Sequence, residues 1–218
     1  MCINIVSGNN LLIVSKIFGL GFHKTGSTTL ESALIVLGYD CVGKHDHLFD
    51  SIANNDWESI DTDVNKHDAF RDMPWPLFYK ELDERYPGSK FILTVRDVGS
   101  WSKSCVNHYK DIGNETFKEI YGDGKHFPLG NKDHWIRVYE EHNQAVRDYF
   151  DGREGDFLEV NWEDGDGWHE LCDFLDQEVP RRQFPHANKG KYTLWDKAIR
   201  RLEWTFDREG FRKRNRDL

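Results

Sequence analysis

A chain of 218 residues has the length of one domain with a full core, and one domain over residues 1–218 is expected. Its formal net charge of −9 speaks against a protein that coats nucleic acid or an anionic membrane, so neither is an expected partner. The cysteines Cys2, Cys41, Cys105 and Cys172 lack disulfide or metal spacing, and no apolar run reaches membrane-spanning length, so a cytoplasmic protein is expected.

Residues 1–15 read as an extension or a short edge strand. Their apolar stretch at 11–14 is too short for an anchor, and the Asn and Gly residues before it spoil a signal peptide. Residues 17–22 are apolar and rich in Ile and Phe, which suits a buried strand. Leu30, Ala33, Leu34 and Leu37 then recur at helical spacing, with Gly38 as the stop.

Between strand and helix lies His23-Lys24-Thr25-Gly26-Ser27-Thr28-Thr29, a turn of small and hydroxylated residues with one lysine. Its backbone N–H groups and the helix start suit an anion such as phosphate. An ordinary capped helix is the plainer alternative, with Thr28 and Glu31 as a capping box. The turn is not the common ATP or GTP loop. Gly21 and Gly26 have its spacing, but Ser27 stands where that loop places lysine, and Lys24 lies inside the loop.

Residues 39–42 suit a short second strand. His45 and His47 suggest a metal cluster at first sight, but they lie two apart with no Cys nearby, and a solvated helix start fits better. Residues 56–63 are acidic and read as a surface turn. Pro74 and Pro76 end a strand near Asp72 and start a helix at Pro76, which Pro87-Gly88 stops. Residues 90–95, KFILTV, form a continuous apolar run, the mark of an interior parallel strand, so a βαβ unit is expected here.

Arg96 and Asp97 end that strand, and Ser104 falls a turn or so into the following helix. If the strands at 17–22 and 90–95 are neighbours, Arg96 faces the crevice of the Lys24 loop. A long loop is expected over 110–133 and a helix over 132–149, with Ile136, Tyr139, Asn143 and Val146 on one face. A strand at 157–160, a helix at 168–175, a loop at 184–190, a charged helix at 193–208 and a solvated basic tail at 212–216 complete the chain.

Lys24 in a shifted loop, Arg96 with Ser104 eight residues later, the phrase FILTVRDVGSWSKS and Asn161-Trp162-Glu163-Asp164 occur in this order. With them the chain resembles the P-loop-like superfamily of sulfotransferases that use 3′-phosphoadenosine 5′-phosphosulfate (PAPS). The common form of that family's loop is Pro-Lys-Ser-Gly-Thr-Thr. The resemblance implies a three-layer α/β fold, with a central, mostly parallel sheet flanked by helices as in P-loop NTPases. It also implies transfer of a sulfuryl group from PAPS to a hydroxyl or amine of a small-molecule or glycan acceptor, without a metal.

The resemblance assigns roles residue by residue. Lys24 would neutralise charge on the bridging oxygen as the bond to sulfur breaks. Thr25, Gly26, Ser27, Thr28 and Thr29 would line the 5′-phosphate through backbone and hydroxyl donors. Arg96 and Ser104 would hold the 3′-phosphate, a guanidinium fork completed by a hydroxyl. Trp162 would contact adenine, or else packs in the core at a strand end, and Lys189-Gly190 would reach the 3′-phosphate. Asp72 falls where relatives place the general base, with His67 and Asp68 as fallbacks. Alternatively it only pairs with Arg71 or caps a turn.

His23 in place of proline, Leu30 in place of tryptophan and Val98 in place of proline separate the chain from the animal cytosolic phenol and steroid enzymes. A P-loop kinase and a sulfotransferase-like binding protein without turnover are the competing readings. The loop over 110–133 and the terminal helix are expected to wall the acceptor, whose identity the residues do not specify.

Overall fold

The sheet is built outward from its most apolar stretch. In the computed structural model, which describes residues 15–185 except Asp46, β1 (Ile17–Gly19) is buried along its whole length. It is buried because it has a strand on either side and helices on both faces. The strand order is β2-β3-β1-β4-β5, with β2 (Cys41–Val42), β3 (Ala69–Phe70), β4 (Lys90–Thr94) and β5 (Phe157–Val160), all pairs parallel. Phe18 is in register with Phe70 on one side and Phe91 on the other.

Strand alternation sorts the side chains into two layers. Ile17, Ala69 and Ile92 meet α1 (Ser27–Val36) through Leu30, Ala33 and Leu34, and α8 (Trp168–Leu175) through Leu171 and Leu175. Phe18, Phe70, Phe91 and Leu93 face the other way, onto Leu82 of α4 (Tyr79–Arg85) and Val146 of α7 (Lys132–Tyr149). The result is the expected three-layer α/β architecture. Beyond the carboxyl ends of the strands, a third cluster collects aromatic rings from α5 (Val98–Tyr109), α6 (Glu115–Tyr121) and α7. Within it Tyr121 stacks on Trp135 at 3.7 Å and Trp101 on Tyr139 at 4.1 Å.

Several local expectations are corrected. The acidic stretch over 56–63, which follows the short α2 (Leu48–Ala53), is not a turn but most of α3 (Trp57–Val64). Asp56 caps it by accepting from Ser59 N at 3.3 Å, and Ile60 and Val64, one turn apart, are buried. The loop expected over 110–133 contains α6. Asn114 caps this helix at Phe117 N (2.8 Å), and Phe117 and Tyr121 bury its inner face. β3 ends at Phe70, and Pro76 lies in a short 3-10 turn (Trp75–Leu77), so α4 starts three residues later than predicted. Trp75 takes the space by burying its indole 4.8 Å from the Phe70 ring.

The strand and helices predicted over 157–160, 132–149 and 168–175 coincide with β5, α7 and α8. The N-terminal extension over 1–14, Lys189-Gly190, the helix over 193–208 and the basic tail lie outside the described residues. No helix among the described residues is long and apolar enough to cross a membrane.

Phe18 sits between Phe70 (5.4 Å) and Phe91 (5.6 Å) at the centre of the sheet and is fully buried. Phe18→Ala is expected to cost about 3–5 kcal/mol in urea denaturation. Ile112→Ser, at a residue 62% exposed, should change stability by less than about 0.5 kcal/mol.

Candidate active site

β1 does not end at Gly19 in any abrupt way. Leu20 N still donates to Ile92 O at 2.8 Å, and the buried segment 20–22 then turns at His23–Gly26 into α1. Two residues of the turn are left-handed, Lys24 at φ +67° and Gly26 at φ +98°. Lysine pays steric strain for that conformation, which the surrounding contacts must hold in place. Gly26 is required twice over, because a Cβ there would also lie 2.4 Å from Trp162 Cδ1.

Gly26 is the N-cap of α1, and no side chain caps the helix. The capping box read from Thr28 and Glu31 does not form: Thr28 lies inside the first turn, and Glu31 is drawn away to Arg71 at 2.8 Å. A helix that opens without a side-chain acceptor leaves backbone donors and partial positive charge for an anion. Thr25 contributes differently from expectation. Its hydroxyl donates to Phe22 O (2.6 Å) and lies 2.7 Å from Thr94 Oγ1, so it braces the loop against β4 instead of lining a ligand. Thr29 is buried, and Ser27 Oγ donates to Asp72 Oδ1 at 2.9 Å.

Asp72 follows β3 in a left-handed conformation, φ +62°. Its second oxygen accepts from Arg71, whose other guanidinium nitrogen holds Glu31. Asp72 therefore does pair with Arg71, and through Ser27 it also reaches the loop. Lys24 ties these elements together electrically. Burial pushes its pKa below the usual lysine value; Cys105 and Asp72 oppose that shift, and Arg96 reinforces it. His67 and Asp68 precede β3, at the amino end of the sheet. Both are engaged with Asp40, His67 Nδ1 at 3.1 Å from its carboxylate and Asp68 by accepting its backbone N–H at 2.9 Å. They lie at the opposite end of the sheet from the Lys24 loop.

β1 and β4 are adjacent, so Arg96 does lie at the same end of the sheet as the Lys24 loop. Its backbone is held at both groups by Tyr139 Oη, which accepts from Arg96 N (3.0 Å) and donates to Arg96 O (3.1 Å). The guanidinium pairs with Glu163 at 2.6 Å, while its Nε is buried without a partner among the described residues. Ser104 is half-buried on the second turn of α5, a helix capped by Asp97 at Ser100 N (2.8 Å). No hydrogen bond joins Ser104 to Arg96 among the described residues. Its neighbour Cys105 is buried, which pushes the thiol up to about 12 against the opposing pull of Lys24 and Arg96.

Trp162 packs in the core at a strand end, the second of its two expected descriptions. It belongs to the core between α1 and α8, 4.9 Å from Phe184, and it presses on Gly26 with its Nε1 buried and unpartnered. A cavity of about 440 Å³ opens beside Arg96, bordered by Asp97, Tyr139, Asn143, Arg147 and Asn161. It does not reach Lys24, Asp72, Ser104 or Trp162. Asn143 presents a buried Oδ1 without a hydrogen-bond partner among the described residues. Sequence reasoning placed Asn143 on the inner face of α7 without a role; a polar residue on an otherwise apolar face was the available signal.

His23, the departure before the lysine, is an anchor. Its carbonyl accepts from Trp101 Nε1 (2.9 Å), and its Nε2 lies 2.9 Å from Tyr121 Oη within a nest of aromatic rings. Burial pushes its pKa down to about 3, with Lys24 and His108 adding to the shift, so the ring is neutral at physiological pH. His45 and His47 are separately engaged, with Gly43 O at 2.7 Å and Asp63 at 2.6 Å. Among the described residues no three His, Cys, Asp or Glu side chains gather as a metal site.

The sequence that carries this arrangement matches known proteins. The family described as "Sulfotransferase domain" matches residues 16–193. The chain is also 27% identical, over 212 residues, to the "Ava biosynthesis cluster protein M" of Aspergillus versicolor, with 78% of this chain and 80% of that protein covered. The match spans the loop, both strand ends and the Asn161–Asp164 turn, and the chain belongs to the sulfotransferase family.

Proposed function

We propose that this sulfotransferase takes its sulfuryl group from PAPS and passes it to a hydroxyl or amine of a small-molecule acceptor. The observation that supports this most is the pairing of an uncapped helix start beside Lys24 with a second cation, Arg96, at the end of the adjacent strand. One anion site suits any nucleotide; two suit a nucleotide phosphorylated at both ends. The fit is supported by Arg96 Nε, which has no partner among the described residues, and by the turn at Gly26, which only glycine permits. The Aspergillus relative is named for a biosynthesis cluster, which agrees with a small-molecule acceptor better than with a glycan.

When bound, PAPS supplies an activated sulfuryl group on a phosphate leaving group. The protein's contribution is then positioning and charge. Lys24 would neutralise the oxygen from which sulfur departs. Backbone donors at the start of α1, with Thr28, would hold the 5′-phosphate, and Arg96 with Ser104 would hold the 3′-phosphate. Trp162 would border the adenine. Asp72 would take the acceptor proton. Ser27 and Arg71 occupy one site on each of its oxygens, and a carboxylate has about four, so capacity remains for that proton.

Three measurements test this reading. 3′-Phosphoadenosine 5′-phosphate at a hundred times its dissociation constant should stabilise the protein by roughly 2.7 kcal/mol. That raises the melting temperature by roughly 5–10 °C. A shift with ATP–Mg²⁺ alone would instead indicate a kinase. Lys24→Ala should lower the rate of transfer at least about 100-fold; full activity would remove the loop from the chemistry. Asp72→Asn should keep the thermal shift while losing transfer by about 10²–10⁴-fold, and normal turnover in that variant would move the base elsewhere.

A further inference from the structure

Arg96 is not a waiting cation. Its guanidinium is held by Glu163 at 2.6 Å, from the turn that follows β5. Both partners are built into place. The backbone of Arg96 is fixed at N and O by the Tyr139 hydroxyl. On the other side, Glu163 N donates to Asn161 Oδ1 (3.1 Å), Asn161 Nδ2 to Asp164 Oδ2 (2.7 Å), and Asn161 N to Asp166 Oδ2 (2.6 Å). Trp162, between them, is buried against Gly26. The Glu163 side chain, by contrast, is 47% exposed, against 26% for Arg96. It is the one part of the arrangement that moves into water cheaply.

We propose that Glu163 is a built-in competitor for the nucleotide's 3′-phosphate: it occupies Arg96 in the free protein, yields it on binding and retakes it as the product nucleotide leaves. The inference rests on the reading of Arg96 as the 3′-phosphate ligand. A dianion that engages the guanidinium fork outbids a single carboxylate. Because Arg96 never stands uncompensated, the exchange costs less on release than leaving a bare, part-buried cation would. Glu163 therefore weakens binding of donor and product alike, and it favours departure of the product. A nucleotide that lacks the 3′-phosphate leaves the pair intact and is indifferent to Glu163. Glu163 is thus a positioning residue acting through Arg96.

The test is calorimetric titration of the full chain with 3′-phosphoadenosine 5′-phosphate and, separately, with adenosine 5′-phosphate. Glu163→Gln and Glu163→Ala, at an exposed side chain, are compared with wild type. Both variants should bind the 3′-phosphorylated nucleotide roughly 5- to 10-fold tighter, the scale of a half-exposed ion pair plus one like-charge contact. Both should bind adenosine 5′-phosphate as wild type does. In turnover, the variants should show lower KM for the donor and stronger inhibition by the product nucleotide. If both nucleotides tighten equally, or neither changes, the inference is overturned. In that case the reading of Arg96 still stands as long as Arg96→Ala abolishes the wild-type preference for the 3′-phosphorylated nucleotide. A wild-type protein with no such preference overturns both.

Discussion

The parallel register of β1 on β4 decides where every polar group of the site comes to rest. Ile17 opposite Lys90, Phe18 opposite Phe91 and Gly19 opposite Ile92 bring the two strands out at one edge. Parallel strands can only be joined by crossovers, so both leave the sheet into loops that begin helices. The loop after β1 carries Lys24, and the segment after β4 carries Arg96. The pairing is held by apolar burial: Phe18 and Phe91 lie beneath α4 and α7, and Ile17 and Ile92 beneath α1 and α8. The chemistry at the edge depends on a core that contains none of it. The brace between Thr25 and Thr94 is where the two meet, because it hydrogen-bonds the turn directly to the last residue of β4.

Burial is the main cause of the lowered pKa of Lys24, and the nearby Arg96 cation adds to it. The protein answers with carboxylates from neighbouring elements. Asp72, at the end of β3, lies within the field of Lys24, and Glu163, after β5, covers Arg96. Arg71 is a third cation in the same row, shared between Asp72 and Glu31, and it links β3 to the inner turn of α1. Each of these carboxylates lies at the carboxyl end of a strand or on the first helix. Strand order, more than sequence distance, assigns the counter-charges.

Most of this layout was legible in the chain. Residues 90–95 read as an interior strand because Phe91, Ile92 and Leu93 run on without alternation, β5 read as a short apolar stretch, and α7 and α8 read correctly from their helical periodicity. The two missed helices share one cause. In α3 and α6 the buried residues are few, Ile60 and Val64 in one and Phe117 and Tyr121 in the other, and polar neighbours hide them. Such helices are held by long-range packing and by the caps Asp56 and Asn114, which a local reading takes for turn residues. At the site, Lys24, Arg96 and Asp72 were visible as residue types at strand ends. The partners Glu31 and Tyr139 were not, since they arrive from 40 and 43 residues away. The same limit hid the inward turn of the Thr25 hydroxyl, because a loop's composition does not say which hydroxyls face its own backbone.

His23 shows how far a departure from the family's common loop can be structural. Proline before the lysine would restrict the turn by its own ring. Histidine has no such restriction, and here the restraint comes from outside: a carbonyl fixed by Trp101 and a neutral ring fixed at Tyr121. Trp101 belongs to α5 and Tyr121 to α6, the helix that forms within the stretch expected to wall the acceptor. Lys24, held in a left-handed conformation one residue further on, is therefore positioned by the same aromatic cluster that faces that stretch. One buried imidazole thus joins the turn that carries Lys24 to α5 and α6, so a shift of either helix bears directly on the conformation of that turn.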